Sequence, residues 1–187
     1  GKLRFVVAGN HDRAAVDDPI IQTFRENAQA AARWTAGVLD DRHRAFLASL
    51  PYVISVGDVL FLHSSPDRPE RYHYITGFDD ARAAFNACEQ RRIFYGHTHY
   101  PVVYGFRSQN IMLVPYGDFR GEGRILANVG SVGQPRDGDE RGSYVIWVEQ
   151  QDRADVARFE YDVAGAASKI IKAGLPEEFA RRLFEGR

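Results

Sequence analysis

The chain has 187 residues, 44% apolar and 26% charged, with a formal net charge of −1, the composition of an ordinary globular domain. That balance excludes the basic character with which proteins hold nucleic acid by charge, and no apolar run approaches the ~18 residues a membrane span requires. The single cysteine, Cys88, excludes an intrachain disulfide framework and fits a buried helical thiol in a reducing cytoplasm.

In chain order, Leu3–Ala8 is a short apolar run that stops at Gly9 and reads as a buried strand delivering Asn10, His11 and Asp12 at its C-terminal end. Asp17-Asp18-Pro19 reads as a helix start, and Phe24, Ala28, Ala31, Thr35 and Leu39 keep helical spacing after it. A second helix is predicted over about Asp41–Ser49, stopped by Pro51. Tyr52–His63 reads as a hairpin, in which Gly57-Asp58 suits a type II′ turn and the second strand ends on His63. A proline-rich loop precedes a helix over about Asp79–Gln90, and Ile93–Tyr95 forms a strand running into Gly96-His97-Thr98-His99. Beyond Val102 the pattern is all β, with strands at 102–106, 111–114, 124–128, 144–149 and 156–161. Two short helices separated by Gly174 close the chain.

Three polar clusters each follow a short β-rich run: Asn10-His11-Asp12, His63, and His97-Thr98-His99. Ligands of α/β sheets collect at such strand ends. Four of the six histidines lie in these clusters, and imidazole is the commonest protein ligand of mid-series divalent metals. In extended backbone, residues two apart share a face, so His97 and His99 are expected to line one pocket. Taken singly, His63 reads as a structural histidine and Asn10-His11-Asp12 as a turn; their joint occurrence points to a metal site. His43 and His73 lack this context. Arg136 and the stretch Gly130–Gly133 offer either a phosphate-binding loop or a plain turn.

Gly9-Asn10-His11-Asp12, His63 followed by Ser64-Ser65-Pro66, and Gly96-His97-Thr98-His99 resemble the third, fourth and fifth motifs of the calcineurin-like metallophosphoesterases. Trp34-Thr35, Asn128–Gly138 and Lys172–Pro176 extend the resemblance along the whole chain. It implies an α/β fold of two mixed β-sheets packed as a sandwich and flanked by helices, in one metallophosphoesterase domain over 1–187. It also implies hydrolysis of small phosphomonoesters or phosphodiesters by two divalent metal ions, Mn foremost, with Fe, Ni, Co or Zn as alternatives. The nucleophile would be a bridging hydroxide. Asn10, His63 and His97 would ligate the second metal and His99 the first. His11 would be the general acid, Asp12 would orient it, and Arg136 would bind substrate. The family's Asp-x-His and Gly-Asp motifs lie well upstream of Gly-Asn-His-Asp, whereas eight residues precede Gly9 here. Gly57-Asp58 falls in the predicted hairpin turn. The resemblance therefore implies a chain lacking its N-terminal portion and first strands. The alternative function is a catalytically silent scaffold of this fold that binds other proteins.

Overall fold

The computed structural model describes residues 5–16 and 19–187. Helix α1 (Asn10–Ala14) and a 3-10 turn at Pro19–Thr23 lead into α2 (Glu26–Val38) and α3 (Asp41–Ser49). The hairpin β1 (Val53–Val56) and β2 (Val59–Leu62) follows, then α4 (Phe78–Asn86) and β3 (Arg92–Tyr95). Strands β4 (Val102–Arg107), β5 (Asn110–Leu113), β6 (Gly117–Asp118), β7 (Arg124–Asn128), β8 (Gly142–Val148) and β9 (Arg153–Phe159) precede α5 (Val163–Lys172) and α6 (Glu177–Glu185). Local chemistry sets several of these boundaries. The Asp40 carboxylate accepts the His43 N–H at 2.8 Å and starts α3, and Asp162 does the same for α5 through Gly165 N–H at 2.8 Å. Gly57 alone of its turn has positive φ, +57°, as a type II′ hairpin demands.

Six strands form one sheet in the order β1-β2-β3-β7-β4-β5. Its centre, β2-β3-β7, is parallel, and its outer pairs are antiparallel. Side-chain alternation sends the two faces to different partners. Leu60, Leu62, Ile93, Tyr95, Leu126 and Tyr104 pack against Ala81, Ala84 and Phe85 of α4. Val59, Phe94, Val103, Ile125 and Ala127 pack against Ala154, Val145 and Trp147 of a second sheet. That second sheet, β6-β9-β8, is antiparallel throughout rather than mixed. The α5–α6 hairpin buries its own small core around Ala167, Ala180 and Leu183. Among the described residues, no helix is long and apolar enough to cross a membrane.

Two expectations need correction. The predicted opening strand is not formed over Phe5–Ala8; Leu3 lies outside the described residues. A strand needs a ladder partner, and the backbone bond recorded for this segment runs from Ala8 N–H to Pro51 O, 2.8 Å, in the connection that leads to β1. Phe5 is 48% exposed. The first long helix begins at Glu26, not beside Pro19, because Pro19–Thr23 takes the tighter 3-10 geometry; Asp17 and Asp18 lie outside the described residues. Cys88 sits just past α4, half-buried, with its thiol facing the Ala84 carbonyl.

Candidate metal centre

The three parallel strands end on one edge of the sheet. β2 runs into His63, β3 into Gly96-His97-Thr98-His99, and β7 into Asn128. The start of α1 is pinned over this edge. Tyr72 Oη–H donates to Gly9 O at 3.2 Å, and the Asp12 carboxylate accepts Gly9 N–H at 2.7 Å, closing the helix's first turn. Gly9 also permits close approach, since a Cβ there would stand 3.1 Å from His63 Nδ1. Asn10 is thereby buried and aimed at the strand ends.

Three donor atoms meet there. His63 Nε2 lies 3.1 Å from Asn10 Oδ1 and 3.0 Å from His97 Nδ1. Atoms bound to one cation at about 2.1 Å and at right angles stand about 3 Å apart, so this spacing fits a shared metal ion. His97 Nε2 is buried without a hydrogen-bond partner. The Tyr72 main chain raises that ring's proton affinity. His99 Nδ1 meets Gln134 O at 2.7 Å, which makes Nδ1 the protonated nitrogen and leaves the Nε2 lone pair for a cation. All three rings are held neutral. Burial is the main cause, pushing His63 to about 3 and His97 and His99 to about 4. Neighbouring groups add to it: His63 and His97 each disfavour a proton on the other, and the Arg136 charge opposes one on His99. Neutral imidazole is the metal-binding form. Among the described residues, no three of His, Cys, Asp and Glu gather at one metal position; the converging set is two imidazoles and a carboxamide.

The His-x-His segment is not extended. His97 has φ +64° and His99 has φ +61°, a left-handed conformation that costs a non-glycine residue on the order of 1–3 kcal/mol. Both rings still face the pocket that His63 lines, but through a double turn rather than strand alternation. Asn128, fully buried, holds that turn. Its Nδ2 donates to Gly96 O at 2.5 Å and Thr98 Oγ1 at 2.8 Å, and its Oδ1 accepts Gly130 N–H at 2.9 Å. Tyr74 stacks on His97 with centroids 4.0 Å apart. Sequence reasoning gave neither Asn128 nor Tyr72 a role; the signals for Asn128 were its place at the end of a predicted strand and at the start of the stretch Asn128–Gly138 that carries part of the resemblance.

His11 stands at the mouth of the site with its ring against Phe24, centroids 4.8 Å apart. Burial lowers its pKa most; the Asp12 carboxylate opposes this through space and Arg136 adds to it. Asp12 thus acts on His11 by charge, while its hydrogen bond goes to Gly9. Arg136 is exposed and donates to Gln134 Oε1 at 3.1 Å. The glycine-rich loop is a structural turn. Gly130 has φ +77° against Ser143, Ser131 N–H bonds to Ser143 Oγ, and Gln134 N–H bonds to Ser131 Oγ, so those amides are already satisfied. Asp58 is in the hairpin turn, where it accepts Arg91 N–H, at the opposite end of β2 from His63.

Known proteins resemble this chain in sequence and fold. Residues 4–152 match the family model of the calcineurin-like phosphoesterase superfamily domain. The uncharacterized protein MJ0912 of Methanocaldococcus jannaschii is 36% identical over 186 residues, which cover 97% of this chain and 75% of that one. A metallophosphoesterase crystal structure from Sphaerobacter thermophilus is 35% identical with a TM-score of 0.81, covering 97% of this chain and 76% of that one. The hypothetical protein PH1004 from Pyrococcus horikoshii OT3 shares the fold, with a TM-score of 0.75 at 18% identity over 98% of this chain and 73% of its own. With motif, strand-end geometry and relatives in agreement, the chain belongs to the calcineurin-like phosphoesterase superfamily, whose members hydrolyse phosphoesters with divalent metal ions.

Proposed function

We propose that this chain contributes Asn10, His63 and His97 to one cation and His99 to a second, at a site that cleaves a small phosphoester. The observation that supports this is the meeting of Asn10 Oδ1, His63 Nε2 and His97 Nδ1 within 3.1 Å. Such N/O donors suit Mn, Fe, Co, Ni or Zn better than Mg or Ca, and Mn is the first choice. Two such cations would lower the pKa of a shared water, the nucleophile, and offset the charge of the phosphoryl oxygens. His11 then supplies the proton. Its lowered pKa makes the protonated ring a stronger acid, and an arriving phosphate anion favours protonation, so the proton can pass to the leaving oxygen. Asp12 favours the charged ring from behind. Arg136, close enough to act electrostatically on His11, His97 and His99, holds the non-bridging oxygens.

Metal binding decides the matter. Calorimetry with Mn should show binding to the chain that His97→Ala abolishes and His11→Ala retains. Where hydrolysis of bis(p-nitrophenyl) phosphate is seen, His11→Ala should slow it by about 10²–10⁴-fold. Mn affinity unchanged in His97→Ala would remove the assignment.

A further inference from the structure

The cleft that opens on the α1 side of the metal centre, about 1030 Å³, is far larger than one phosphoryl group needs. It begins at His11, His97 and Arg136 and runs past the N-terminal end of α2 to α6. Its charge is one-sided. Arg25, Arg71, Arg136, Arg182 and Arg187 line it, against two carboxylates, Glu26 and Glu178. The whole chain carries 24 basic and 25 acidic residues, so the excess is local.

Little of that charge is spent within the protein. Arg182 and Arg187 reach Glu178 and Glu185 only at 3.7 Å and at the surface, where ion pairs contribute little. Arg136 meets a neutral amide. Among the described residues, no ion pair engages Arg25 or Arg71. A lone ester phosphate at the metal centre would occupy Arg136 and leave Arg25 and Arg71 without an anion, and Arg182 and Arg187 with only their 3.7 Å carboxylate partners.

The geometry points to a second anion subsite, formed by Arg25, Arg71, Arg182 and Arg187, that selects phosphoesters carrying at least one further phosphate beyond the scissile one. This rests on the phosphoesterase reading of the metal centre and specifies its substrate class. Guanidinium forks match phosphate oxygens pairwise. The cleft volume is that of a small-molecule pocket, typically about 300–1,000 Å³, and suits a condensed oligophosphate group rather than a folded partner.

The test is calorimetric titration of the metal-free chain with inorganic tripolyphosphate and with orthophosphate. Tripolyphosphate should bind roughly tenfold tighter or better. Arg71→Gln and the double variant Arg182→Gln/Arg187→Gln should each weaken it by roughly tenfold. Arg107→Gln, an exposed arginine at the end of β4, should leave it unchanged. Tripolyphosphate that binds no tighter than orthophosphate overturns the subsite. So does a loss in Arg107→Gln equal to that in the cleft variants, or no loss in any of them. Failure of the phosphoesterase reading shows separately, as absent Mn binding in the wild-type chain.

Discussion

Asn128 shows how one side chain governs the geometry of a candidate metal centre whose donor atoms it does not touch. It satisfies Gly96 O, Thr98 Oγ1 and Gly130 N–H at once from a fully buried position. Those bonds hold His97 and His99 in a backbone conformation they would not choose alone. Asn128→Ala would leave buried polar groups unpaired, each costing about 1–3 kcal/mol, and would release the double turn. The expected outcome is a Mn affinity of the folded protein lowered about 10–100-fold, measured by chelator competition below the unfolding transition. Destabilisation with unchanged Mn affinity would reduce Asn128 to a packing residue. At this scale the convergence of Asn10, His63 and His97 was legible, because residue type is a sequence property and so, for His63 and His97, is position after a strand. The φ angles of His97 and His99 were not: a side chain that bonds to their turn in space, but lies some thirty positions away in sequence, imposes them.

At the scale of elements, strand alternation was legible for the same reason that the sheet works. Each of β2, β3 and β7 sends alternate residues to α4 and to the second sheet, so hydrophobic runs mark the strands. What joins the sheets was not legible. Arg92 begins β3 yet is nearly buried; Nε donates to Asp152 Oδ1 at 2.6 Å, Nη2 pairs with Asp152 Oδ2, and Nη1 donates to Gly123 O at 2.6 Å. It ties β3, in the middle of the large sheet, to the β8–β9 connection. A charge at a strand start reads locally as a surface residue, and only the distant Asp152 makes it a core one. Removing one partner of such a pair leaves the other uncompensated, so Arg92→Ala should cost about 3 kcal/mol in urea unfolding. A loss under about 1 kcal/mol would place Arg92 among ordinary surface pairs. The unformed opening strand has the same lesson: an apolar run states a preference for burial, while a strand also needs a ladder beside it.

For the molecule as a whole, gathering three imidazoles at one sheet edge links stability to pH. In the unfolded chain each histidine titrates near about 6.5; folded, His63 is pushed down to about 3 and His97 and His99 to about 4, mainly by burial. Below pH about 6.5 the unfolded chain therefore binds more protons than the folded one. Stability is fully present above that pH and is lost as pH falls towards the folded values, by up to about 1.4 kcal/mol per pH unit for each ring. Carboxylates with depressed pKa, such as Asp118 at about 2 and Asp139 lower still, act only below about pH 4. The two windows meet only between about pH 4 and 3, where His63 and the carboxylates titrate together. The metal-free chain should keep a constant Tm from pH 8 to 7 and lose it steeply from pH 6.5 to 5 in scanning calorimetry. Mn in excess should raise Tm at pH 7.5 by mass action and lose that effect over the same acidic range, because protons compete for the same nitrogens. A Tm constant from pH 7 to 5 without metal would mean that these rings accept protons freely in the folded state. The converging donors would then be solvated side chains rather than a site prepared for a cation.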